Sequence, residues 1–112
     1  MPQILEYLAP SGASPFGRWF GKLEAQAAAK VTVAITRMGA GNYGDHKSVG
    51  DGVFEHRIDF GPGYRLYFGR DGETLVILLV GGTKRRQQHD IAAAKALWQD
   101  YKTRAKAGKK GT

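Results

Sequence analysis

Apolar and polar positions alternate first in Gln3 to Leu8, with Ile4 and Leu8 on one side and Leu5 and Tyr7 on the other, which predicts a short opening strand. Pro10, Ser11 and Gly12 close it. Ser14-Pro15 then reads as a helix start, with Ser14 as N-cap and proline where its missing N–H costs nothing. Phe16, Trp19, Phe20 and Leu23 fall on one helical face. After Glu24 a second, alanine-rich helix carries Ala27, Val31, Ala34, Ile35 and Met38 at helical spacing and stops at Gly39. The two form a helical hairpin.

From Gly39 to Gly52, five glycines with Asn42, Asp45 and Asp51 predict a long loop. At Val53 the period changes to two. Val53 to Ile58 and Tyr64 to Phe68 read as strands joined by the five residues from Asp59 to Gly63, and Arg70 to Glu73 as a second turn. Thr74 to Val80 has no polar residue after its threonine, as expected of a strand covered on both faces at the sheet centre. A last helix near Gln88 to Ala105 turns Ile91, Ala94, Trp98, Tyr101 and Ala105 inward. The expected architecture is α+β, a small antiparallel sheet in the order β-α-α-β-β-β-α packed against the helix hairpin and the last helix.

A length of 112 residues fits one domain and one core, here residues 1–105, followed by a basic and flexible tail over 106–112. The absence of cysteine excludes disulfides and thiolate chemistry. No basic segment with an apolar core opens the chain, and the run from Leu75 to Val80 is too short to cross a bilayer, so the expectation is a cytoplasmic protein without a membrane partner. The net charge of +7 is unevenly placed. Residues 1–83 hold eight basic and eight acidic side chains, whereas residues 84–112 hold nine basic ones against Asp90 and Asp100. Such an excess favours a polyanion partner.

The strand alternation puts Phe54, His56 and Ile58 with Tyr64, Leu66 and Phe68 on a core face, and Glu55, Arg57, Arg65 and Tyr67 on the other. A symmetric turn sets Arg57 across from Arg65, an unfavourable pairing unless an anion neutralises it. Two readings stay open. One is a surface ion-pair cluster with Glu55 and Asp59, worth little. The other is a phosphate grip joined by Lys84, Arg85 and Arg86, with Tyr67 available to stack a base. Of the three histidines, His56 reads as a packing residue, His46 lies in the loop beside Lys47, and His89 sits at the helix start near the basic cluster as a candidate for proton transfer. No histidine pair has metal-ligand spacing, and Gly39 to Gly44 matches GxGxxG by letters alone, so neither a metal nor a cofactor is expected.

Asn42-Tyr43-Gly44-Asp45-His46-Lys47, Glu55 to Asp59, Gly61 to Phe68, Leu79 to Lys84, and Asp90-Ile91 resemble the addiction-module killer branch of the RelE/ParE toxin superfamily, the HigB-like toxins, over roughly residues 3–100. The resemblance implies a RelE-like fold and the toxin half of a type II toxin-antitoxin system. It implies as partners a cognate helix-turn-helix antitoxin, the ribosome and mRNA, with operator DNA reached only through the antitoxin. The implied activity is ribosome-dependent mRNA cleavage, in which Arg57, Arg65 and Lys84 hold and polarise the scissile phosphate and Lys47 contacts RNA. ParE-like relatives inhibit DNA gyrase instead, and a basic RNA- or ribosome-binding module without activity is the third alternative. The chain departs from RelE in having His89-Asp90 where a tyrosine is expected and Glu55 where a strand lysine is expected. The antitoxin surface is expected on either the helix hairpin or the last helix.

Overall fold

The computed structural model describes residues 1–110. Strand β1 (Gln3–Glu6) is followed by helices α1 (Pro15–Gly21) and α2 (Ala25–Gly39), then by strands β2 (His46–Gly50), β3 (Val53–Ile58), β4 (Tyr64–Asp71) and β5 (Leu75–Thr83). A 3₁₀ turn over Lys84–Arg86 leads into helix α3 (Gln87–Lys110). All five strands share one sheet, ordered β1-β5-β4-β3-β2.

The fold is α+β, and three details of the expected sheet are corrected. The sheet is mixed, because β1 runs parallel to β5 with Gln3 opposite Leu75, while β2 to β5 are antiparallel neighbours. The glycine-rich segment is not all loop: residues 46–50 form β2, an edge strand with His46 opposite His56 and Lys47 opposite Glu55. Its side chains are exposed or half-buried, so the backbone ladder holds it rather than an apolar face. The middle strand is β4, with β5 one place out and covered on both faces as its composition requires. Helix α3 continues through Lys110, carrying 106–110 of the expected tail as helix; residues 111–112 lie outside the described residues.

Ser14 caps α1 as its sequence predicts, accepting from the Gly17 N–H at 2.8 Å and donating its hydroxyl to Glu6 at 2.5 Å. Helices α1 and α2 cover one face of the sheet, where Phe16, Val31, Met38, Leu66 and Phe68 pack together. Helix α3 covers the other with Trp98 and Ala94, against Tyr7, Val53, Tyr67, Ile77 and Leu79. Each fully buried Leu, Ile or Phe contributes roughly 1.5–3 kcal/mol. Helix α3 is also tied to the segment just after β1: the Tyr7 hydroxyl donates to Asp100 at 2.6 Å, and Arg104 donates to both Asp100 and the Leu8 carbonyl. Among the described residues no helix is long and apolar enough to cross a membrane.

Candidate functional site

The five-residue connection between β3 and β4 fixes their register as the sequence predicts. Arg57 lies directly opposite Arg65, Glu55 opposite Tyr67 and His56 opposite Leu66. Continued into the neighbours, the ladder makes two rows on the α3 face: Lys47, Glu55, Tyr67 and Val80 in one, Arg57, Arg65 and Gly82 in the next. The Lys84 N–H donates to the Gly63 carbonyl at 2.8 Å, which brings the start of the 3₁₀ turn to the end of the hairpin beside Arg65. The basic residues expected to act together thus border one region of the sheet.

They do not have equal access to solvent. Arg57, Lys47, Lys84, Arg85, Arg86 and His89 are exposed, whereas Arg65 is buried beneath the start of α3. Arg57 is held by Asp45 in a surface ion pair of 3.0 Å, a contact worth about 0–1 kcal/mol and readily exchanged for another anion. Lys84, Arg85 and Arg86 make no ion pair among the described residues. Residues 84–89 line a shallow concavity of about 480 Å³ that places three cations and the His89 imidazole around one opening.

The expectation for Tyr67 is corrected: its ring is fully buried under α3, so it is a core residue and presents no platform to a base. Its hydroxyl donates to Glu55 at 3.0 Å. Burial, then the adjacent Glu55 carboxylate, pushes the phenol well above its ordinary range, so Tyr67 stays a donor at any working pH.

Glu55 is the hub that sequence reasoning missed. It is 0% exposed, and its Oε2 also accepts from Gln87 Nε2 at 2.8 Å, while Oε1 lies 3.9 Å from Arg65 Nε. A buried carboxylate is tolerable only with such partners. Gln87 and Asp90, three residues apart in the first turn of α3, both turn down onto the sheet. Asp90 takes the space left by Gly82, where any Cβ would overlap its carboxylate. Burial raises the Asp90 pKa, partly offset by Arg86 and His89. The sequence signal was the pair Gly81-Gly82 at the end of an otherwise bulky strand. One glycine faces the Trp19 ring on the α1 side, the other Asp90 on the α3 side.

Chemically, the exposed set can hold a polyanion along the hairpin end and the 3₁₀ turn, with the buried Glu55–Arg65–Tyr67 cluster fixing the turn from below. No family model matches the chain. An uncharacterized protein of Haemophilus influenzae (strain ATCC 51907 / DSM 11121 / KW20 / Rd) is 50% identical over 86 residues, which is 76% of this chain and 87% of that protein.

Proposed function

We propose that this chain, which belongs to the family of the Haemophilus influenzae protein, is a RelE-like toxin of a type II toxin-antitoxin system that cleaves mRNA on the ribosome. One observation carries the reading: Arg57 faces Arg65 across the hairpin, and the Lys84–Gly63 backbone bond attaches three further exposed cations to the same end of the sheet. Arg65 is already balanced by the buried Glu55, whereas the exposed Arg57 can exchange its Asp45 partner for a phosphate that Lys84, Arg85 and Arg86 would also hold. The excess charge from Lys84 onward supplies long-range attraction to ribosomal RNA.

The proposed reaction asks little of the protein. The substrate's 2′-OH attacks the adjacent phosphorus, forming the P–O2′ bond and breaking the P–O5′ bond. One proton leaves O2′ and one arrives at O5′. Arg57, Lys84 and Arg86 hold the phosphate and its extra negative charge, while His89, exposed in the first turn of α3, exchanges the proton. Arg65 acts from beneath, through the position of Glu55 and the turn. The proposed partners are the ribosome with mRNA, and a helix-turn-helix antitoxin encoded beside the toxin that silences it and carries it to operator DNA.

The test is a translating extract supplied with the full chain, with mRNA 5′ ends mapped. Codon-phased cuts are expected, falling at least tenfold in the Lys84→Ala/Arg86→Ala variant. An extract whose mRNA stays intact with the native chain overturns the reading.

A further inference from the structure

The face of the sheet opposite the basic rows carries a second concavity, of about 500 Å³, between α2 and the hairpin. Lys30 and Arg37 line it from α2, Asn42 and Asp45 from the α2–β2 connection, and His56 and Asp59 from β3 and the turn that follows. We propose that this concavity binds a phosphorylated small molecule of mononucleotide size, with Lys30 and Arg37 holding the phosphate and His56 Nε2 accepting a hydrogen bond from a ligand hydroxyl or amino group.

The cations are placed for it. Lys30 and Arg37 are seven residues apart, close to two helical turns, so both project from one side of α2. Neither makes an ion pair among the described residues. Lys30 is steadied instead by the Phe60 ring, 5.6 Å from its ammonium group. Of the two lining carboxylates, Asp45 is already neutralised by Arg57, and Asp59, without an ion pair among the described residues, is suited to a ligand hydroxyl rather than to phosphate.

The histidine supplies the directional contact. His56 Nδ1 lies 2.9 Å from the Tyr43 carbonyl oxygen, and a carbonyl can only accept, so Nδ1 carries the proton. Burial lowers the His56 pKa, more than the Tyr43 bond restores, and the ring is neutral with its lone pair on Nε2. No protein group among the described residues donates to that nitrogen. The ring is also held still. Gly44 packs against it at φ +59°, where a Cβ would come within 2.9 Å of Cε1, so the loop closes on the imidazole only because position 44 is glycine. A fixed acceptor that shares with two cations a concavity within the ~300–1,000 Å³ of small-molecule sites is a binding constellation. It lies apart from Lys84 to His89 and stands or falls independently of RNA cleavage.

Titrating the full chain with 5′-AMP, adenosine and inorganic phosphate, while following the His56 imidazole by ¹⁵N NMR, tests it. A saturable shift of Nε2 with 5′-AMP is expected, weakened at least tenfold in Lys30→Ala/Arg37→Ala and unchanged in Lys84→Ala/Arg86→Ala. Inorganic phosphate should compete without reproducing the shift. No saturable shift with 5′-AMP in the folded native chain, equal binding by the Lys30/Arg37 variant, or an equal Nε2 shift with phosphate alone overturns the proposal.

Discussion

Tyr67 and Glu55 face each other across the β3–β4 ladder, hydroxyl to carboxylate at 3.0 Å, and neither touches solvent. Removing the phenolic oxygen leaves the carboxylate short of one partner in a dry site, which costs about 1–3 kcal/mol. Tyr67→Phe should therefore lower the urea midpoint at unchanged slope, although it deletes only one atom. The loss should shrink when Glu55→Gln is present as well, since an amide needs less compensation than a charge. A single variant as stable as the native chain would show that the pair contributes nothing.

Gly82 and Asp90 make a second coupled pair. A methyl group at position 82 overlaps the Asp90 carboxylate, so Gly82→Ala should destabilise by roughly 1–3 kcal/mol through displacement of the first turn of α3. Shortening the opposing side chain with Asp90→Ala should recover much of that loss. The thermal midpoints of the two single variants and the double variant measure the coupling, and simple additivity would rule the overlap out.

The buried imidazole gives a pH dependence with a definite sign. The folded-state pKa of His56 lies below the ordinary 6.5, so its neutral form contributes stability that is fully present above pH 6.5. As the pH falls below 6.5 the unfolded chain takes up a proton that the folded chain refuses, and this contribution is lost through the folded-state value. NMR titration should place the His56 midpoint below 6.5. Urea melts should show a steeper loss between pH 7.5 and 5.5 in the native chain than in His56→Asn. A midpoint at or above 6.5 contradicts the assignment.

The exposed cations predict how nucleic-acid binding responds to salt. Each phosphate contact to a single strand contributes about 0.7 to the slope of log K against log salt concentration. Lys84→Ala and Arg86→Ala should each reduce the slope by about that amount for a short unstructured RNA, and should weaken binding alike for different sequences. Fluorescence anisotropy between 50 and 200 mM salt reads both quantities. An unaltered slope would remove the residue from the interface.

The hairpin was the most legible part of the chain, because period-two patterning and a five-residue turn leave one register in which Phe54, Leu66 and Phe68 all face the core. That register alone places Arg57 opposite Arg65. Residues 46–50 were opaque for the converse reason: His46, Lys47 and Ser48 are all exposed, so side-chain pattern carries no trace of a strand held through its main chain. The parallel pairing of β1 was hidden because its partner lies far along the chain. The burial of Glu55 and Tyr67 depends on Gln87 and Asp90, whose polar side chains on the inward face of α3 look like a solvated helix start until the sheet beneath them is known.

The union of β1 with β5 has a consequence for how the chain is made. Strand β1 has no partner strand to join until residues 75–78 emerge, and Tyr7, just after it, waits for Asp100, 93 residues later. Hairpins and helices between them rest on local contacts, whereas closure of this sheet edge is a non-local step. A chain that stops before α3 leaves Tyr67, Ile77 and Leu79 uncovered on one sheet face, an apolar surface of the kind that proteases and chaperones engage.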